Sequence, residues 1–377
     1  MKYRKLSELC EYTSDKILVS ILSRQNYIST ENMLQNRGGI CDAETLPSTF
    51  KVSSFVEDDI LISNIRPYFK KIWRAKFCGG CSNDILVMRA KQNCNPIFLY
   101  YILSGDSFFS YATHTSKGTK MPRGDKKAIM NYQVPDLSYQ AQKIIGEFLN
   151  VFDRKIELNN KLNDNLQQQA FALFEQLLLT ADDGECSVAD IAHLNPKRAL
   201  AKNQEAKCIE MSQLSTSGAF PSGWEKRPFN GGMRFSNGDT LLARITPCLE
   251  NGKAAFIDFL DTSEVAFGST EYIVLAPKGE FPPEFLYCLA RYPVFSDYAV
   301  KNMNGSSGRQ RVSAETIGQF KLPRPSTNEL KRFGNVVSSL FLKMRFNSLE
   351  NMRLSSLRDS LLPKLMSGEL DVSELDI

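Results

Sequence analysis

The phrase DILISNIRP (Asp59–Pro67) returns 180 positions later as DTLLARITP (Asp239–Pro247). CSNDILVMRAK (Cys81–Lys91) then matches GSTEYIVLAPK (Gly268–Lys278) at an offset of 187, and PIFLYYIL (Pro96–Leu103) matches PEFLYCLA (Pro283–Ala290) at the same offset. Ile129 with Val134-Pro135 is answered by Ile317 with Leu322-Pro323 at 188. One short apolar match is what chance supplies, but several in order, with an offset that drifts only in loops, mark a duplication. The chain must therefore fold as two copies of one unit.

Each copy reads as the same succession. An apolar run opened by an acid and closed by proline suits a buried strand, and DILVMRA and EYIVLAP supply the next strand. Proline then starts a helix at Pro96 and Pro283. A Gly-rich basic loop and a short strand ending in Val-Pro or Leu-Pro close a mixed α and β domain.

After that both copies change character. Tyr139–Leu179 and Asn328–Met366 hold no proline but Pro363, and apolar residues recur at alternating four- and three-residue steps. The stripe includes Phe152, Ile156, Asn159, Asn163, Leu166 and Leu173 in the first segment and Leu340, Met344, Asn347, Asn351, Leu354 and Leu361 in the second. Such a pattern predicts two long helices that cover each other as an antiparallel coiled coil, with the asparagines setting register. Leu158, Leu162, Phe346 and Leu349 lie off the stripe, so other faces are expected to be covered too. The predicted fold is α+β: residues 1–137 form the first α/β domain, 138–180 the central spacer helix, 181–326 the second domain, and 327–377 the C-terminal helix and tail.

Composition fits a folded protein without narrowing its role. With 377 residues, 42% hydrophobic and 23% charged, the chain has room for two domains. No apolar run reaches the ~18 residues a membrane span needs, and the opening MKYRKLSELCEYTSDK lacks the apolar core of a signal peptide. Nine cysteines in no regular framework fit reduced thiols, so a cytoplasmic protein is expected. A net charge of +4 permits a polyanionic partner without requiring one, and the placement of the cations decides.

That placement repeats. Arg66, Lys70, Lys71, Arg74 and Lys76 follow the first strand, with Tyr68, Phe69 and Trp73 interleaved, and Lys117, Lys120, Arg123, Lys126 and Lys127 fill the loop TSKGTKMPRGDKK. In the second copy Arg244, Thr246 and Lys253 occupy the strand exit, and NGSSGRQR supplies Asn304, Ser306, Ser307, Arg309, Gln310 and Arg311. Arg and Lys neutralise phosphates, whereas Arg on guanine and Asn or Gln on adenine read base edges. A two-copy protein fits duplex DNA read as two half-sites.

The sequence also resembles the specificity subunits of Type I restriction-modification systems. The phrases that carry the likeness are LLARITPCLENGKAAF, FGSTEYIVLAP, FLNVFDRKIELNNKLNDNLQQQAFALFEQLL and RDSLLPKLMSGEL. The resemblance implies two target-recognition domains, each reading half of a split double-stranded DNA sequence, with the paired helices as spacer. It implies two modification subunits that methylate adenine with S-adenosylmethionine, and restriction subunits that use ATP and Mg2+. CGGCSNDILV departs from the acid- and serine-rich phrase of the second copy. That puts base contacts of the first domain in doubt rather than its fold.

Catalysis in this chain is poorly supplied. Asn95-Pro96-Ile97-Phe98 lacks the second proline of an adenine methyltransferase tetrad and sits where a helix should start. There is no GxxxxGK[ST] loop, and His114 and His193 are the only histidines. Cys78-Gly-Gly-Cys81 is half of a zinc signature without its second pair, and the favoured reading is a Gly-permitted turn with two half-buried thiols. The rival to a DNA reader is a coiled-coil scaffold whose basic patches bind DNA without sequence preference.

Overall fold

In a computed structural model, which describes residues 2–306 and 308–370, the chain divides into two compact units. The first takes Met1–Arg154 with Ser355–Ile377, the second Lys155–Leu354. The two long helices, Tyr139–Thr180 of 42 residues and Thr327–Ser367 of 41, each contribute one end to either unit. Residues from 371 onward, the expected tail, lie outside the described residues.

The repeated strands are the centre of each unit. Ile60–Ser63 and Thr240–Ala243 are buried at every position. Ile60–Ser63 lies between Ile85–Ala90 and Ile72–Arg74, both antiparallel; Thr240–Ala243 lies likewise between Tyr272–Pro277 and Ala254–Phe256. A strand alternates faces residue by residue. Ile60 and Ile62 accordingly join the core under the helix Pro96–Ser104, while Leu61 joins a second core with Phe55, Trp73 and Val87. Leu242 and Leu241 divide in the same way in the second unit. Continuous apolar runs are therefore needed, because both faces of the strand are covered.

The acid that opens each run has the same task in both copies. Asp59 and Asp239 are each 1% exposed. Each accepts the N–H of the residue three positions back, Val56 at 2.9 Å and Ser236 at 2.8 Å. Each also holds an arginine through two nitrogens, but a different one. Arg89 reaches Asp59 from the neighbouring strand, whereas Arg198 reaches Asp239 from the loop after Ala192–Leu194.

A second sheet in each unit shares three strands and differs at its edge. Tyr27–Ile28, Gly79–Cys81 and Lys51–Phe55 correspond to Glu205–Ile209, Ala266–Gly268 and Met233–Phe235, with one parallel and one antiparallel pairing in each set. The fourth strand adds to opposite sides: Lys16–Leu18 pairs with Lys51–Phe55, but Glu225–Pro228 pairs with Glu205–Ile209.

This sheet corrects the reading of Cys78-Gly-Gly-Cys81. Gly79–Cys81 is a strand rather than a turn; Cys81 is fully buried and Cys78 exposed, so the thiols are not both half-buried. The glycines serve close approach. A Cβ on Gly79 would stand 2.2 Å from the Asn26 carbonyl oxygen, and one on Gly80 would stand 2.6 Å from Leu22 Cδ1. Gly79→Ala is expected to destabilise the first unit by about 1 to 3 kcal/mol, the usual cost of overpacking. Trp73 is the first unit's tryptophan, so denaturation of a Trp224→Phe background followed by fluorescence checks it; an unchanged midpoint would show that the strand shifts at no cost.

Within the second unit the long helices run antiparallel. Asn347 Nδ2 donates to Asn163 Oδ1 at 2.8 Å, and Asn159 Nδ2 donates to Asn351 Oδ1 at 2.9 Å. Phe174 meets Phe333 further along. Asn159, Asn347 and Met344 are buried; Phe152, Ile156, Asn163, Leu166, Leu173, Leu340, Asn351, Leu354 and Leu361 are half-buried. Inside the first unit Asp153 bonds Arg358 and accepts from Tyr101 Oη at 2.6 Å. The remaining faces are covered only in part, with Leu349 half-buried. Leu158, Leu162 and Phe346 are 62%, 40% and 54% exposed, because one helix pair hides one stripe on each member.

Asn95 caps the helix Pro96–Ser104, its side chain accepting from the N–H groups of Ile97 and Phe98. That accounts for the near-tetrad through helix initiation.

Candidate DNA interface

The strand exits and the basic loops, distant in sequence, meet in space, and they meet through equivalent backbone hydrogen bonds in both units. Lys117 and Arg123 exchange backbone hydrogen bonds of 2.9 Å, closing a hairpin; Asn304 and Arg311 do the same at 2.9 Å. Arg66 N–H donates to the Pro122 carbonyl and Gly124 N–H to that of Asn64. Their counterparts are Thr246 N–H to Gln310 and Val312 N–H to Arg244. The strand exit is tied in turn to the acidic turn before the next strand, through Asn64 N–H to the Asp84 carbonyl at 2.8 Å and Arg244 N–H to the Glu271 carbonyl at 3.0 Å. Each hairpin leaves its first bridge residue through a glycine at positive φ, Gly118 at 94° and Gly305 at 130°. An L side chain rarely adopts that conformation, so glycine there is a requirement of the turn.

The candidate cations divide sharply by partner. Lys70 pairs with Asp106 at 2.7 Å, and this lysine together with Arg37 holds the Asp106 carboxyl below the usual carboxylate range. Lys71 donates to the Thr30 carbonyl at 2.6 Å, and burial lowers its ammonium pKa. Lys253 donates to the Met211 carbonyl at 2.9 Å. Lys117 pairs with Asp125 at 2.6 Å and brings that carboxyl down to about 2. Arg123 pairs with Asp84 at 3.0 Å. Arg311 grips both oxygens of Glu271 at 2.7 to 3.0 Å, and Arg244 Nε lies 3.5 Å from the same carboxylate, whose pKa Arg311 lowers. Lys120 and Arg309 are exposed, and their side chains have no partner among the described residues. Ser306, in the same hairpin as Arg309, is exposed and Gln310 half-buried, while Ser307 lies outside the described residues.

At the first strand exit the backbone is strained. Arg66 and Lys70 both hold φ of 51° around the short turn Pro67–Phe69, and Asn36 and Arg37, at 53° and 62°, bond back to the carbonyls of Phe69 and Lys70. Non-glycine residues in this region are uncommon and cluster where a site is being held. Tyr68, 47% exposed, stands edge-on to Phe69 at 4.8 Å. Trp73 does not belong with them: it packs inward, 5.9 Å from Phe55 and 5.0 Å from Phe77. Arg66 Nε, Asn64 Oδ1 and Thr246 Oγ1 are buried without a hydrogen-bond partner among the described residues.

Asp84 and Glu271 escape a search for cations. The signal lay in the alignment of the copies, since SND and STE set the two acids at an offset of 187. Among the described residues no group of three or more His, Cys, Asp or Glu is arranged to hold a metal, and no helix is long and apolar enough to cross a membrane.

Comparison with known proteins agrees with this architecture. The model of the Type I restriction modification DNA specificity domain matches residues 1–168. The chain is 25% identical to the Type I restriction enzyme HindI specificity subunit of Haemophilus influenzae, over 91% of this chain and 94% of that one. The EcoAI specificity subunit of Escherichia coli is 31% identical over 44% of this chain and 29% of its own length. The crystal structure of a Type I restriction-modification S subunit from M. genitalium is similar in fold, with a TM-score of 0.57 at 16% identity over 97% of this chain and 96% of that one.

Proposed function

Because the chain belongs to the specificity subunits of Type I restriction-modification systems, the non-catalytic part that directs recognition for methylation and restriction, we propose that each repeat reads one half of a bipartite duplex target. The observation that carries this reading is the twofold occurrence of one hairpin, closed by the same hydrogen bonds on the same strand exit and presenting Lys120 in one copy and Arg309 in the other. Arg66, Tyr68, Lys70 and Lys71 flank the first hairpin; Arg244, Thr246, Lys253, Ser306, Gln310 and Arg311 flank or form the second. The helix pair is the spacer. The exposed apolar residues Leu158, Leu162 and Phe346 are where we place two modification subunits, which bring S-adenosylmethionine. Restriction subunits bring ATP and Mg2+, and the complex works in the cytoplasm.

The experiment is to co-express the chain with a methyltransferase subunit of the same system and map N6-methyladenine over a random DNA library. A split motif with a fixed gap, present only with this chain, is expected. Methylation without a motif would reduce the chain to an assembly scaffold. Arg309→Ala is expected to relax one position of one half-site by about 1 to 3 kcal/mol while leaving the other half-site intact. Even weakening across all sequences would show a phosphate contact instead.

A further inference from the structure

We infer that Arg123 and Arg311 are positioning residues, each latched by a carboxylate, Asp84 or Glu271, that holds the hairpin in the posture for DNA while the tip makes the contact. This rests on the DNA-reading function proposed above and divides its basic residues into two kinds.

The latch is the same device in both copies. Arg123 and Arg311 are the closing residues of their hairpins, and Asp84 and Glu271 stand in the turn before the strands Ile85–Ala90 and Tyr272–Pro277. Backbone bonds already join hairpin to strand exit and strand exit to acidic turn; the ion pair closes the third side. In the second unit every guanidinium nitrogen of Arg311 is engaged, Nε and one terminal nitrogen on Glu271 and the other terminal nitrogen on the Arg309 carbonyl at 3.2 Å. An arginine that reads guanine needs two such donors free. Three of the five N–H groups of Arg311 are thus committed, and its Nε fork cannot turn to a base without releasing Glu271, whereas Arg309, the residue whose carbonyl it supports, is exposed. A carboxylate near DNA also has a cost, since it repels phosphate. Two copies keeping an acid there are explained by what it holds.

The opposite reading, that Arg311 is a reader held in check by Glu271, predicts the reverse response, so the test is decisive. Glu271→Gln in the full chain removes the charge and keeps the shape. Binding would be measured by fluorescence polarisation on a duplex carrying the mapped target and on a random duplex, at several salt concentrations. Hydrogen exchange without DNA would be followed at the amides of Thr246, Asn304, Arg311 and Val312, which the closed hairpin protects. For a latch, Glu271→Gln weakens target binding by about tenfold, with the salt slope unchanged, and speeds exchange at the four amides. Arg311→Lys, which cannot grip both oxygens, gives a smaller change in the same direction, and the double variant loses no more than Glu271→Gln alone rather than the sum of the two. Tighter or unchanged binding by Glu271→Gln, or unchanged exchange, overturns the latch. If wild-type protein distinguishes no duplex, the DNA-reading function fails, and the latch then stands or falls on the exchange rates alone.

Discussion

Lengthening both long helices by one heptad, after Asn163 in the first and after Phe346 in the second, is expected to widen the gap between the methylated half-sites by about three base pairs and to leave both half-site sequences unchanged. Seven helical residues add about 10 Å, and the duplex rises about 3.4 Å per base pair. The paired insertion is dictated by the seam. Asn163 faces Asn347 and Asn159 faces Asn351, so extra residues in one helix alone slide these amides past each other and bury them without partners. With both insertions the asparagine pairs stay together on one side, and Phe174 with Phe333 and Arg345 with Asp258 stay together on the other. Mapping N6-methyladenine in cells carrying the lengthened chain measures the gap directly. Full methylation at the original spacing would mean that the helices do not set the distance.

Asp239→Ala is expected to cost the second unit about 3 kcal/mol, toward the low end of the ~3 to 5 kcal/mol for breaking a buried ion pair. The variant strands Arg198, whose side chain is 24% exposed and keeps some access to water. It also removes the acceptor of the Ser236 N–H, which opens the turn into the central strand. Denaturation followed by Trp224, stacked on Phe259 at 4.4 Å, reports this unit alone when Trp73 is replaced by Phe. The double variant Arg198→Met, Asp239→Ala should recover part of the loss, because no uncompensated charge remains. If the single and double variants are equally unstable, the turn rather than the ion pair carries the cost.

Much of this architecture was legible because its signals are periodic or repeated. The strands Ile60–Ser63 and Thr240–Ala243, the helix starts at Pro96 and Pro283, and the long helices announce themselves through apolar runs, prolines and heptads. What escaped are features set by contact between distant segments. Gly79 and Gly80 look like a turn until Asn26 and Leu22 are seen against them. Trp73 looks like part of an aromatic-basic patch until its ring is found among Phe55 and Phe77. The basic cluster shows the same limit. Sequence counts Lys70, Lys71, Lys117, Lys253 and Arg311 as equal cations, but the fold commits each to a carboxylate or a carbonyl.

By itself the sequence determined that there are two copies, what elements each contains and in what order, and that two long helices need each other to hide their stripes. Those properties depend on which residues are apolar and how they are spaced along one chain. Tertiary structure alone decided which arginine reaches each buried aspartate, which edge the fourth strand joins, and which basic side chains remain exposed without a partner among the described residues. A charge is neutralised by whatever lies within about 4 Å, and the loops that bring Arg198 to Asp239 or Glu271 to Arg311 leave no periodic trace of where they will arrive.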